Sequence, residues 1–481
     1  MSSSVPEKAD RVDAPVVDQR TVQPVEPTLR QPADPTTDQP ADRIADPTAD
    51  PTADRTADRT GGTTTDETAD RTPDDPTADR TGVAPVAPWE RRRRAVTAMV
   101  LTTVLVAGQQ YAVVPLLTEL GRDWSAPPAD LTELVSAFGV AAVAAFLLGG
   151  SAARRLGTRP AMALAMAVLA FGSAALAAAP SLAAGGAFRV VQGVGAGFFL
   201  AGALTHLRDR VAPDRWPAAA RWVVLTVVGA GVAGPALAEA VAALVGWRGV
   251  FGAGAVALVW SGAWLHLVLA TAVHGPRGVL LPSLRQKGKV LARPRAAVLC
   301  LAMAPVLGGV GVVGTALESL GPETVSGDAD TMVAVRTAAV APVALVALAG
   351  GFLRRLRALR VAATALVVDA AATAALAVGG GSVGVVAVAL VLVTLGVAVA
   401  APALHEALAA VAGEARDSVL SLSLVTLVLG ASLEPRLVSV LGSAGLPLVL
   451  GVVAAAFLVA AGLVVWVDRT SRGPAERASA A

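Results

Sequence analysis

The chain has one cysteine, one tyrosine and four histidines among 481 residues, and only 16% of it is charged. The lone thiol, Cys300, excludes any disulfide within the chain. Four scattered histidines and one cysteine show no metal-ligand spacing, so no metal and no other cofactor is expected. No nucleophile, base and orienting group share a plausible face, which removes support for an enzyme. A cleavable secretion signal is also missing, because the N-terminal stretch is polar, acidic and Pro-rich. What the chain has in quantity is apolar residue: 54% of the total, with a mean hydropathy of +0.62, too hydrophobic for a soluble protein of this length.

The apolar residues fall into about twelve stretches between Ala95 and Val467, each near the ~20 residues needed to cross a ~30 Å hydrocarbon core. The expected spans are 1 (Ala95–Leu117), 2 (Leu131–Ser151), 3 (Ala161–Ala179), 4 (Leu182–His206), 5 (Arg221–Leu244) and 6 (Val250–Val273). After a basic connection come 7 (Ala296–Leu317), 8 (Met332–Leu353), 9 (Val361–Val378), 10 (Val383–Leu404), 11 (Ser418–Leu441) and 12 (Leu446–Val467). Basic residues cluster on alternate connections: Arg91–Arg94, Arg154 with Arg155 and Arg159, Arg208 with Arg210, Arg285 to Arg295, and Arg354 to Arg360. Lys and Arg stay on the cytoplasmic side, so both termini are expected in the cytoplasm of a multi-pass plasma-membrane protein. The expected fold is all-α: twelve spans in two six-helix halves, 89–273 and 296–467, joined by a cytoplasmic linker, 274–295. Such repeats are a common build for transporters.

Residues 1–88 are a different object. They hold eighteen acidic and nine basic residues, against nineteen and thirty in the rest of the chain. A short unit recurs, as in Ala53-Asp54-Arg55-Thr56 and Ala57-Asp58-Arg59-Thr60, and no aromatic precedes Trp89. Such a segment cannot bury enough apolar surface to offset its ordering entropy and is expected to be a disordered tail. Residues 468–481 form a short cytoplasmic tail. The basic loops face lipid headgroups; the bilayer is the expected partner, no nucleic acid is, and the chain is read as a monomer.

Four segments resemble the major facilitator superfamily. In span 4, Arg189-Val190-Val191-Gln192-Gly193-Val194-Gly195-Ala196-Gly197 is similar to that family's R-x-x-Q-G-x-G-x-G/A pattern. Gly231, Gly234 and Pro235 in span 5 resemble the G-P motif of its drug/proton antiporter branch. Trp247-Arg248-Gly249-Val250-Phe251 resembles W-R-x-x-F. Gly150, Arg154, Arg155, Gly157 and Arg159 match the spacing of the loop motif G-x-x-x-D-R-x-G-x-R, with Arg154 where the family has Asp. The resemblance covers Trp89 onward. It implies a secondary transporter working by alternating access, with spans 1, 4, 7 and 10 lining a central cavity.

The intramembrane polar residues can be weighed without the family. Arg189 lies about eight residues into span 4, or ~12 Å at 1.5 Å per residue. A guanidinium there costs at least ~2.5–3.5 kcal/mol, so it is expected to face a cavity or a partner. Gln192 shares its face; Gln109, Gln110 and Tyr111 are further cavity candidates. Gly193, Gly195 and Gly197 sit inside a helix and read as close-packing positions. Glu239 and Glu434 are the candidate proton-coupling carboxylates, each near a proline. Asp369, ~12 Å into span 9, is read as packing or loop-facing, and His206 and His405 as interfacial. A cavity walled by Ala, Val, Leu and Gly suits a lipophilic or amphiphilic small molecule, exported in exchange for protons. The rival readings are a facilitator or importer on the same fold, or a non-transporting receptor or assembly protein.

Overall fold

The computed structural model describes residues 88–471 except 213, 270–279, 322–328, 354–355, 380–381 and 414–415. The expected disordered tail and most of the C-terminal tail lie outside the described residues. Among the described residues every regular element is helical. The elements are α1 (Pro88–Tyr111), α2 (Leu117–Trp124), α3 (Pro128–Leu131), α4 (Glu133–Leu156), α5 (Thr158–Ala177), α6 (Leu182–Arg210) and α7 (Trp216–Val268). They continue with α8 (Leu280–Leu291), α9 (Pro294–Leu320), α10 (Ala329–Leu353), α11 (Ala358–Gly379), α12 (Val383–Ala412), α13 (Arg416–Leu441) and α14 (Leu446–Ser471).

Ten helices among the described residues are long and apolar enough to cross a bilayer, counting α1 to α2 as one segment from Arg94 to Trp124. Their exteriors are apolar: Val378 is 93% exposed, Leu244 84% and Leu267 80%, while Arg189, Gln192 and Asp369 are 0% exposed. Large aliphatic side chains outside and charges inside suit hydrocarbon as the surrounding medium. This is a multi-pass membrane protein.

Two elements depart from a simple hairpin of spans. Span 1 is interrupted after Tyr111, where α1 ends and a 3-10 turn, Val114–Leu116, begins. Pro115 has no N–H, and its ring would clash with the carbonyl four residues back, that of Tyr111. Helix α7 runs 53 residues as one assigned element, but Gly246 inside it has φ 68° and ψ 173°. A straight helix of that length would be ~80 Å, more than twice the hydrocarbon thickness. Gly246 therefore turns the chain between expected spans 5 and 6, in a conformation that favours glycine. In the basic linker, read as a loop from sequence, residues Leu280–Leu291 form helix α8. Helix α12 also outruns its expected end at Leu404, continuing to Ala412.

The packing order recurs along the chain. Helix α1 packs on α7, α4 on α6, and α5 on both α6 and α7; later, α9 packs on α13, α10 on α12, and α11 on both α12 and α14. Between the two sets, α4 meets α13 and α7 meets α10.

Candidate transport site

The most connected polar group is Arg189 on α6. Its Nε donates to Leu134 O (3.0 Å), Nη1 to Gln109 O and Gln192 Oε1 (both 2.9 Å), and Nη2 to Gln110 O (2.9 Å). Its guanidinium carbon lies 4.3 Å from the centre of the Phe138 ring. Because α1 ends at Tyr111, the Gln109 and Gln110 carbonyls belong to a helix C-terminus with no further turn to bond. A cation there also meets the negative end of the helix dipole. Hydrogen bonds to a charged group are worth about 1.5–3 kcal/mol each, so four of them outweigh the about 2.5–3.5 kcal/mol of placing Arg in the membrane. Arg189 thus ties α1 and α4 to α6 without any carboxylate.

The glycines after Arg189 set how closely these helices approach. A Cβ on Gly193 would strike Phe138 O, and one on Gly197 would strike Ala142 O, both on α4. One on Gly195 would lie 2.7 Å from Leu169 N on α5. On α7, a Cβ on Gly234 would sit 2.9 Å from Gly108 O of α1, and one on Gly231 would sit 3.1 Å from Leu307 of α9. Small residues here let backbones touch, which is how membrane helices associate. Pro235 follows Gly234 inside α7 and is half-buried.

Beside this cluster lies a small cavity of about 30 Å³, walled by α1, α4, α6, α7 and α13. Gln110 and Tyr111 line it with Phe138, Phe146, Leu200, Val227 and Leu424; Arg189, Gln192 and Gln109 do not. The cation expected in the cavity is instead consumed by the backbone behind it. The expected wall of spans 1, 4, 7 and 10 is also revised: spans 2, 5 and 11 contribute, whereas 7 and 10 do not. Helix α9 meets α13 where Gly308 and Gly430 make a backbone contact, 2.6 Å from a Cβ on Gly308 to Gly430 O. The Nε2 atoms of Gln110 and Gln192 are buried and have no hydrogen-bond partner.

Two long-range contacts join the two sets of helices. Ser136 Oγ on α4 donates to Ser432 O on α13 (2.8 Å). At the opposite end, Arg221 on α7 pairs with Glu406 on α12 at 2.9 Å. Sequence reasoning missed both, since partners 296 and 185 residues apart leave no local signal. His206 and His405, expected to be interfacial, are buried and reach Thr158 (3.1 Å) and Ser423 (3.0 Å).

The W-R-x-x-F segment clasps the C-terminal end of α2. Trp247 Nε1 donates to Asp123 Oδ2 (2.9 Å), Arg248 also pairs with Asp123, and Trp124 meets Trp247 edge to face at 5.4 Å. In the loop motif, Gly157 has φ 87° between α4 and α5, a conformation other residues resist. Gly150 has ample room, with Arg154 Nη1 3.9 Å from a Cβ built there, while Arg155 is exposed and Arg159 Nε is buried with no partner. Arg154, in place of the family's Asp, acts on Lys287 of α8: burial first, then this guanidinium, hold the Lys287 ammonium below the ordinary lysine range.

Of the candidate coupling carboxylates, Glu239 is half-buried on α7, and the Glu434 side chain lies outside the described residues. Asp369 is neither loop-facing nor paired: it is 0% exposed, and neither oxygen has a hydrogen-bond partner.

Residues 99–327 match the family model described as the Major Facilitator Superfamily. In structure the chain is similar to the human organic anion transporter MFSD10 (TETRAN), with a TM-score of 0.56 and 17% identity, over 77% of this chain and 99% of that one. No curated protein matches it. At that identity the structural likeness speaks for the fold alone. The family model covers 229 of the 481 residues, so the chain is similar to that superfamily over just under half of its length.

Proposed function

We propose that the chain is a secondary active transporter that exports a lipophilic or amphiphilic small molecule by alternating access, driven by protons. On this reading it has twelve spans in two six-helix halves, 89–273 and 296–467, about the 274–295 linker, with both termini in the cytoplasm of the cell. The twelve follow from the ten long apolar helices, the division of α7 at Gly246, and α10, whose Thr337–Ala349 stretch is apolar. The recurring packing order supports two halves, with α4–α13 and α7–α10 as the contacts between them.

The observation that carries the reading is the cavity between the two sets of helices, apolar except for Gln110 and Tyr111. Its wall contains no carboxylate, and Gln110 offers an unpaired N–H donor. Such a site suits a largely apolar molecule bearing a hydrogen-bond acceptor, since a few placed polar groups fix orientation in an apolar pocket. Arg189 has a positioning role: by holding the Gln109 and Gln110 carbonyls it aims Gln110 into the cavity. The Arg221–Glu406 pair and the Ser136–Ser432 bond are the two gates, closed together in this conformation.

One observation favours a non-transporting relative. Arg154 beside Lys287 sets two cations where the family's loop motif supplies a carboxylate. Inverted vesicles carrying the full chain and a panel of lipophilic dyes separate the readings. Accumulation that needs an imposed pH gradient supports export; equilibration without a gradient indicates a facilitator; no dye movement across the panel contradicts transport.

A further inference from the structure

The carboxyl of Asp369 has no part in the cavity. Asp369 stands eleven residues after Ala358 in a helix of 22, so it is near mid-membrane. It is wholly buried, with both oxygens unpartnered. The carboxyl fits against α12 only because Gly396 has no side chain: a Cβ there would strike Asp369 Oδ1. Helix α11 packs on α12 and α14, and the ionisable groups of these elements are remote. On α11 itself Arg360 is nine residues away. On α12, His405 and Glu406 lie nine and ten residues beyond Gly396, ~13–15 Å along the helix. Helix α14 has only Asp468 and Arg469, at its far end. No ion pair or hydrogen bond joins Asp369's carboxyl to another group among the described residues.

The matching joint in the other helix set shows that packing does not require an acid. Leu169 stands eleven residues after Thr158 and is 0% exposed, against Gly195, thirteen after Leu182; Gly396 is likewise thirteen after Val383. An ionised carboxylate enclosed this way, with no donor, would cost several kcal/mol, and binding a proton removes the charge.

We propose that Asp369 is a proton-binding site. In this conformation it is the neutral acid. When α12 moves off α11 and water enters at Gly396, the O–H bond breaks, the proton passes to water and the electron pair stays on the carboxylate. Helix α12 links that event to the rest of the molecule. It holds Gly396 against Asp369, His405 against Ser423 of α13, and Glu406 in the ion pair with Arg221 of α7. Movement at Gly396 therefore strains the pair that joins the two sets of helices. Use of this proton for coupling rests on the transport reading; the proton site and the movement of α12 do not.

The test is made on the full chain in lipid bilayers, as wild type, Asp369→Asn and Asp369→Leu, the last copying Leu169. Infrared spectra at neutral pH should show a carboxylic-acid C=O band in the wild type that both variants lack. Hydrogen–deuterium exchange of α12 should be the same in wild type and variants at acidic pH. At alkaline pH it should be several-fold faster in the wild type. Identical infrared spectra overturn the proton site, whatever transport assays give. A band that disappears in the variants, with α12 exchange equal at every pH, overturns the link to α12. A wild type that moves no dye but shows both signatures sinks the transport reading alone.

Discussion

Residues 89–273 bury a guanidinium, Arg189 on α6, and residues 296–467 bury a carboxyl, Asp369 on α11. Arg189 is enclosed by carbonyls at the broken end of α1, whereas neither carboxyl oxygen of Asp369 has a hydrogen-bond partner. The first arrangement is satisfied and rigid, and removing either side leaves orphaned groups. The second is unsatisfied in its charged form and stable only when neutral, so it responds to protons. The two sets of helices thus use buried charge for opposite ends: one to fix helices, the other, on our proposal, to let a helix move.

Arg189→Ala should give the largest effect. It leaves the carbonyls of Leu134, Gln109 and Gln110 without this donor in a dry interior, at about 1–3 kcal/mol for each acceptor left unsatisfied. Thermal melts in detergent should show little folded protein. Arg189→Lys should recover only part, because an ammonium cannot reproduce the planar fork. If Arg189→Ala melts like the wild type yet loses transport, the guanidinium acts on substrate and the contrast with Asp369 fails.

Next come the glycine contacts. Gly193→Val should cost about 1–3 kcal/mol by overpacking against α4, while Gly186→Ala, which meets nothing within 4 Å, should be silent in the same melt. Equal effects would remove close packing as the reason for the motif.

Asp369→Leu should match or exceed wild-type stability, since replacing an unpaired buried polar group with an apolar one is often neutral or stabilising. A large loss would mean the carboxyl has a structural partner. The smallest change should follow Arg248→Ala at the clasp on α2. That pair is solvent-exposed and screened, so its melt should shift little and less still at high salt.

Much of this was legible in the sequence for definite reasons. Span positions follow from hydrocarbon thickness, and Arg189 with its glycines announces close-packed helices around a cation. The division between spans 5 and 6 was also legible, beside the W-R-x-x-F segment that follows Gly246. Depth along a helix, however, does not tell which way a side chain faces. That is why Arg189 was expected in the cavity; Asp369, read as packing or loop-facing, does pack, against Gly396. Helix α8 was hidden because twelve residues rich in charge carry no span-length apolar pattern. The Arg221–Glu406 and Ser136–Ser432 contacts depend on how the chain folds back on itself, which no local spacing records.

The central claim is that the two sides of the cavity open in alternation. Spin labels at Asp209 and Ala410, near the C-terminal ends of α6 and α12, and separately at Asp130 and Ser439, near the opposite ends of the helices, report it by pulsed dipolar distance measurement in bilayers. The account predicts that raising the pH lengthens one distance while the other shortens or holds, and that Asp369→Asn abolishes the response. Both distances unchanged at every pH, or both lengthening together, would contradict it.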